Sequence, residues 1–355
     1  MTTGTVLRFT VPLTLGVVAA QTPLINPLLP SGADPWVTSH GGYYYYMNTT
    51  GNSLAIRRVR NMADLAQSES RVVWRPPASG PYSRDIWAPE LHFLRGKWYI
   101  YFAADSGTNA SHRLWVLEND SEDPRAGEWR MKGKVSDATD RWAIDATVFE
   151  EGSRLYMVWS GWEGEVNGAQ NLYLAELSDP WTVKGPRVRI SAPDLPWERV
   201  GDLKPRRDPE ENPGLNQMDP LHVDVNEGPE ILRHGNRIFV VYSAGGCWTD
   251  YYSMGMLTAE VGSDLLKAAS WKKSPVPVFW QSPKVGAYGT GHGSFFTSPD
   301  GSHSWMLYHA NPEAGQGCGR QRSPRAQPFT WKSDGMPDFG RPVAIGTPLP
   351  RPQGQ

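Results

Sequence analysis

Five short runs of aromatic and β-branched residues recur along the chain, each entered through a glycine-containing turn. They are Gly42–Tyr46, Lys97–Phe102, Arg154–Trp159, Arg237–Tyr242 and Ser304–Tyr308. The turns ahead of them are His40-Gly41-Gly42, Arg95-Gly96, Glu151-Gly152-Ser153, His234-Gly235-Asn236 and Asp300-Gly301-Ser302. A glycine turn that runs into residues suited to a pleated, half-buried surface signals a β-hairpin. Helical periodicity is scarce, and Ser263 to Ser270 is the one fair, short candidate. Such a chain is committed to strands.

The middles of the runs, at residues 44, 99, 156, 239 and 306, lie 55, 57, 83 and 67 residues apart. An all-β unit of about fifty residues or more has room for a four-stranded blade, so five copies predict a five-bladed β-propeller. A β-sandwich whose buried strands look alike is the alternative. The long third interval holds the charged, proline-rich stretch Leu203–Pro213, which reads as a surface loop rather than a linker. No low-complexity tract divides the chain, so its 355 residues are expected to form a single domain over residues 21–355. Residues 1–20 carry one basic residue (Arg8), a mostly apolar run and Val-Ala-Ala before Gln21. That is the shape of a secretory signal peptide, and it is too short and too interrupted to span a membrane. A buried N-terminal strand is the other reading. The sequons at Asn48, Asn109 and Asn119 agree with a secreted, extracellular glycoprotein.

Composition excludes other classes. Lys plus Arg number 35 against 37 Asp plus Glu, which leaves no basic excess to meet the phosphates of a nucleic acid. Two cysteines cannot build a disulfide scaffold, although they can make one bridge. The 16 tryptophans exceed what core packing alone obviously requires. Trp36, Trp87, Trp162 and Trp248 are candidates to stack on a ligand instead, the first two because they lie close to Asp34 and Glu90.

A carboxylate stands upstream of four of the runs. Asp34 lies ten residues before Tyr44, Glu90 nine before Tyr99, Asp145 eleven before Tyr156 and Glu227 twelve before Phe239. In the fifth unit the place is taken by His292. Equivalent positions of successive blades converge on the axis, so these five side chains are expected to meet in one funnel. Like charges crowded together drive at least one carboxyl toward its protonated form. An ionised carboxylate beside a protonated acid is the chemistry of glycoside hydrolysis. Taken singly, Asp34 before Pro35 also reads as a turn former, and Glu227-Gly228-Pro229 as a surface turn. If residues 143–149 alternate as a strand, Asp145 shares a face with Thr147 and Phe149, where a lone carboxylate needs a reason. No P-loop, dinucleotide fingerprint, H-E-x-x-H or G-x-S-x-G motif offers a competing chemistry. The eight histidines show no close metal-ligand spacing.

Taken in order, Asp34-Pro35-Trp36, Trp87-Ala88-Pro89-Glu90, Ile144-Asp145-Ala146 and Glu227-Gly228-Pro229 resemble the segments of glycoside hydrolase family 43. Gly291-His292-Gly293-Ser294 and the stretch from Arg322 to Trp331 are similar to later family segments. The resemblance runs from about Asn26 to Pro342 and implies an inverting glycosidase on a five-bladed propeller. By it, Asp34 would be the general base, Glu227 the general acid, and Asp145 the residue that raises the pKa of Glu227 and holds it. Glu90 would bind substrate, and Arg322 or Arg325 would meet the sugar or the acids. His292 would help hold a central ion, calcium being the candidate, or a water, with no cofactor otherwise required. Ser243–Thr249 and Gly315–Gly319 look most like the exo-acting α-L-arabinofuranosidase branch, which makes Cys247 and Cys318 candidates for one disulfide. The implied partner is a plant cell-wall polysaccharide or oligosaccharide, met by a monomer without nucleic acid or membrane. A β-xylosidase or endo-arabinanase is the nearest rival, and a non-catalytic carbohydrate-binding propeller the rival from another class.

Overall fold

The aromatic runs are continuously apolar because both of their faces are covered. In the run of the second unit, Trp98, Ile100 and Phe102 pack toward the unit before, while Tyr99 and Tyr101 pack toward the unit after. A strand buried on both sides loses the polar alternation of a half-exposed one. The computed structural model describes residue 1, residues 22–202 and residues 222–353. The expected signal peptide, apart from Met1, and the Leu203–Pro213 loop lie outside the described residues.

Every run is the second strand of a four-stranded antiparallel blade. The first blade comprises Trp36–His40, Tyr43–Met47, Leu54–Val59 and Arg71–Trp74. The second comprises Arg84–Leu94, Lys97–Asp105, Arg113–Asn119 and Arg130–Val135. The third comprises Ala143–Glu151, Arg154–Gly161, Ala169–Asp179 and Thr182–Ser191. The fourth comprises Asp224–His234, Arg237–Ala244, Ser253–Glu260 and Lys272–Lys273. The fifth comprises Tyr288–Thr297, Ser304–Asn311, Ser323–Trp331 and Pro337–Asp338. Ala169 and Gln170 also pair in parallel with Asp224 and Val225, which joins the third and fourth blades along one sheet. The helix candidate at Ser263–Ser270 is reduced to a 3₁₀ turn over Ala268–Ser270.

The ring closes through its core. One hydrophobic cluster lies between each neighbouring pair of blades, and the last joins Phe296, Trp305 and Leu307 of the fifth blade to Val37, Tyr44 and Tyr46 of the first. Leu24–Ile25 pairs with Pro348–Leu349 beside this seam. Asn26 completes the closure: its side-chain amide donates to the Ala326 carbonyl and its oxygen accepts the Ala326 N–H, both at 2.8 Å. The architecture is the five-bladed β-propeller that the repeat predicts.

Two of the sequons are not open to a glycan. The Asn119 side chain is buried, donating to the Ala126 carbonyl and accepting the Ser121 N–H, both at 2.7 Å. Asn109 is also buried, beneath the indole of Trp142. Of the three sequons, Asn48 alone keeps partial exposure.

Candidate active site

Every blade has a residue with left-handed backbone where its first strand nears the axis. They are Asp34 (φ 55°), Ala88 (φ 42°), Asp145 (φ 55°), Gly228 (φ 53°) and His292 (φ 48°). In blades two to five this residue sits in a break of the ladder, between Trp87 and Glu90, Ile144 and Thr147, Glu227 and Glu230, and Gly291 and Ser294. A bulge of this kind bends the strand and re-aims a side chain. It also corrects the alternation expected for residues 143–149. Asp145 does not share a strand face with Thr147 and Phe149; the bulge turns it toward the axis.

Asp34 is held from four sides. Arg322 Nη1 donates to Oδ1 at 3.1 Å, and the Thr49 hydroxyl donates to Oδ2 at 2.6 Å. Thr49 in turn accepts the Ala88 N–H at 2.7 Å, so the second blade helps to orient a residue of the first. The Nδ1 atoms of His292 and His309 lie 3.4 and 3.6 Å from Oδ1. Burial works against ionisation here. Arg322 leads the groups that overcome it, with the Thr49 hydroxyl among them, and the carboxyl is held well below the usual range.

Asp145 and Glu227 have the opposite environment. Asp145 Oδ2 accepts the Gly228 N–H at 3.0 Å and lies 4.0 Å from His292 Nδ1. Burial, then the charges of Glu227 and Asp34, push its carboxyl well above the ordinary value. Glu227 Oε1 accepts the Tyr252 hydroxyl at 2.8 Å. Burial pushes its pKa up to about 7, with Asp34 adding to the rise and Tyr252 opposing it. Gly228 is required beside it. Its φ is left-handed, and an added Cβ would lie 3.0 Å from the His292 ring.

Glu90 is not in register with these groups, which corrects the expectation that five equivalent side chains meet. It pairs with Tyr101 beyond the bulge, where Glu230 pairs with Val241, whereas Glu227 pairs with Ser243 before it. Glu90 Oε2 lies 2.9 Å from His92 Nε2, and His92 is kept neutral by burial, which pushes it down to about 3. Burial and the charge of Glu230 raise Glu90 well above its usual range, and burial raises Glu230 as well. In the unfolded chain both carboxyls ionise near their ordinary values. The stability they contribute is therefore complete below those values and is lost as pH rises through the folded ones. Denaturation followed from about pH 5 upward should show wild type losing stability faster than Glu90→Gln. Parallel losses in the two proteins would remove this assignment.

The other candidates divide between funnel and core. Trp36 is a core residue: its indole donates to the Leu91 carbonyl at 3.0 Å, and it packs in the cluster between the first two blades. Trp162 is buried and stacked on Trp142, with ring centroids 4.9 Å apart. Trp87, stacked on His112, keeps a partly exposed face. Trp248 is also partly exposed and lies over Gly246, where a Cβ would come within 2.2 Å of its ring. Arg322 reaches Asp34, whereas Arg325 is fully buried on the opposite strand face and none of its three side-chain nitrogens has a protein partner. Cys247 and Cys318 are joined by a disulfide, which ties the loop bearing Trp248 to the loop leading into Arg322. Thr49, His309 and Tyr252 carry no repeat signal in the sequence and emerge only from the fold. Glu230 and His92 stand close after Glu90-like positions, but only the register distinguishes them.

The donor set does not fit a protein-held calcium at His292. Calcium takes six to eight oxygen ligands. The carboxylate oxygens near this imidazole are engaged by Arg322, Thr49 and Gly228. Among the described residues, no group of three or more His, Cys, Asp or Glu is arranged to hold a metal.

The family model described as glycosyl hydrolases family 43 matches residues 24–337. An extracellular exo-α-(1→5)-L-arabinofuranosidase of Streptomyces avermitilis is 36% identical over 98% of this chain and 69% of its own length. An α-L-arabinofuranosidase 43 of Humicola insolens is 35% identical over 92% of this chain, which spans 65% of that protein. The crystal structure of an α-L-arabinofuranosidase from Lactobacillus brevis superposes with a TM-score of 0.81 at 36% identity, covering 91% of this chain and 98% of that one. With a matching family model over most of its length and relatives at this identity, the chain belongs to glycosyl hydrolase family 43 and is a glycosidase.

Proposed function

We propose that this protein is a secreted, inverting exo-α-L-arabinofuranosidase that releases L-arabinofuranose from arabinan or arabinoxylan. One observation carries the reading: a single funnel holds one carboxyl kept ionised, Asp34, and another kept protonatable near neutrality, Glu227. Asp34 is the base that takes a proton from water as it attacks the anomeric carbon. Glu227 is the acid that protonates the departing glycosidic oxygen. An inverting displacement needs the two carboxyls roughly 6.5–9.5 Å apart, with the water and the sugar between them. Asp145 accepts the Gly228 N–H beside the acid, and the mutual repulsion of the two buried carboxyls keeps a proton on the pair. Arg322 and the half-open face of Trp87 supply polar and apolar contact to the sugar, and Trp248 lines the rim. Residues 1–20 direct export, residues 21–355 form the catalytic domain, and a monomer meets the polysaccharide. The arabinofuranosidase relatives named above, one of them exo-acting, support the substrate class.

The test is hydrolysis of para-nitrophenyl α-L-arabinofuranoside, the corresponding β-xyloside and linear arabinan, with proton NMR of the first product anomer. Activity on the arabinoside with the inverted anomer is expected. The rate should fall as pH rises through about 7, because Glu227 then loses its proton. Preference for the xyloside, or release of internal arabinan fragments, would move the protein to a β-xylosidase or an endo-arabinanase. Inertness toward all three would leave a carbohydrate-binding propeller.

A further inference from the structure

Tyr252 and His309 touch both reacting carboxylates from behind. Tyr252 is buried just ahead of the third strand of the fourth blade, and its hydroxyl donates to Glu227 Oε1 at 2.8 Å. His309, fully buried on the second strand of the fifth blade, accepts the backbone N–H of Asp34 at Nδ1 over 3.1 Å. The two rings stack nearly parallel, with centroids 5.7 Å apart and planes 7° apart. Space is reserved for them, since a Cβ on Gly291 would lie 2.2 Å from the Tyr252 ring.

Because Nδ1 accepts, the His309 proton sits on Nε2 and the imidazole is neutral, in keeping with the burial that pushes its pKa well down. Asp34 has left-handed backbone, so its N–H needs a fixed acceptor to hold it there. We propose that Tyr252 and His309 act as one positioning unit, with Tyr252 aiming the Glu227 carboxyl and His309 pinning the Asp34 backbone. The stack between them sets the separation of acid and base across two blade boundaries. This rests on the acid and base assignments made above.

The groups facing Glu227 are Asp145 from the third blade, Asp34 from the first, Arg322 from the fifth, and Tyr252. His292 of the fifth blade lies over the neighbouring Gly228. Among these, the Tyr252 hydroxyl donates to the ionised form, so its loss leaves the acid protonated to higher pH.

The experiment compares kcat, KM and pH profiles on arabino-oligosaccharide for Tyr252→Phe, His309→Leu and His309→Asn. Asp34→Ala and Glu227→Gln serve as controls. Tyr252→Phe is expected to move the alkaline limb up by roughly one pH and to lower kcat about tenfold, with KM nearly unchanged. His309→Leu should lower kcat on the order of 100-fold, and His309→Asn, which offers an acceptor near the Nδ1 position, should restore most of it. An unmoved alkaline limb in Tyr252→Phe, or folded His309→Asn no better than His309→Leu, overturns the unit. Full activity in Asp34→Ala or Glu227→Gln would instead overturn the acid and base assignment, and the unit with it.

Discussion

Asp34→Ala is expected to lower kcat on the order of 10³- to 10⁴-fold on every substrate, since it removes the carboxylate that the funnel holds ionised to take the proton from water. Glu227→Gln should behave differently. On linear arabinan the loss should be of similar size, because the departing sugar oxygen is strongly basic. On para-nitrophenyl arabinofuranoside it should be far smaller, because nitrophenolate leaves with little help. The contrast follows from the two environments: Arg322 and Thr49 hold Asp34 as an acceptor, while burial keeps Glu227 as a donor. If the two variants lose activity in the same proportion on both substrates, the division of roles is wrong. If Glu227→Gln keeps its activity on arabinan, the acid lies elsewhere, with Glu230 of the same strand the next candidate.

Lys273→Met is expected to lower stability by about 3 kcal/mol, the largest effect predicted away from the reacting groups. Glu198 is fully buried and accepts Lys273 Nζ at 3.0 Å, the Tyr242 hydroxyl at 2.8 Å, Asn226 Nδ2 at 3.0 Å and the backbone N–H of Leu195 at 2.9 Å. Removing the lysine leaves that charge buried and uncompensated. Asn226 precedes Glu227 and is also held by the Ser160 hydroxyl on its carbonyl and the Ser191 hydroxyl on its Oδ1. Loosening the network therefore loosens the strand that carries the acid. Chemical denaturation of Lys273→Met beside Lys273→Met/Glu198→Gln measures the effect. The double variant should recover part of the loss, since a neutral amide needs no counter-charge. A double variant as unstable as the single one would show that the buried charge is not the cause.

The blades were legible because each repeats a physical requirement. A strand covered on both faces must be apolar throughout, and a two-residue hairpin loop, such as Gly41-Gly42 or Arg95-Gly96, needs left-handed backbone. Both constraints act within a dozen residues; the first marks the sequence five times and the second four, since a longer loop joins Thr297 to Ser304 in the fifth blade. Asp34, Asp145, Glu227 and His292 were legible for the same reason, as polar residues recurring before those runs. The failures have one cause as well. Glu90 looked equivalent to Glu227, yet it stands nine residues before the middle of its run and Glu227 twelve, and the ladder turns those three residues into a different level of the channel. Trp36 looked like a sugar platform because it adjoins Asp34, but the strand that starts there points its indole into the seam between blades.

By itself the sequence determined the all-β architecture, the number of blades and the identity of the carboxylates that gather at the axis. These are local properties, written in hairpin turns, strand patterning and the order of short segments. Only the tertiary structure decided which arginine meets Asp34, how the acid is aimed, and which acids face one another. Arg322 lies 288 residues from Asp34, and Tyr252 lies 25 from Glu227 across a turn of the sheet. Such contacts depend on ring closure and on the bulges in the first strands of blades two to five, and a bulge is a backbone choice that side-chain pattern leaves unmarked.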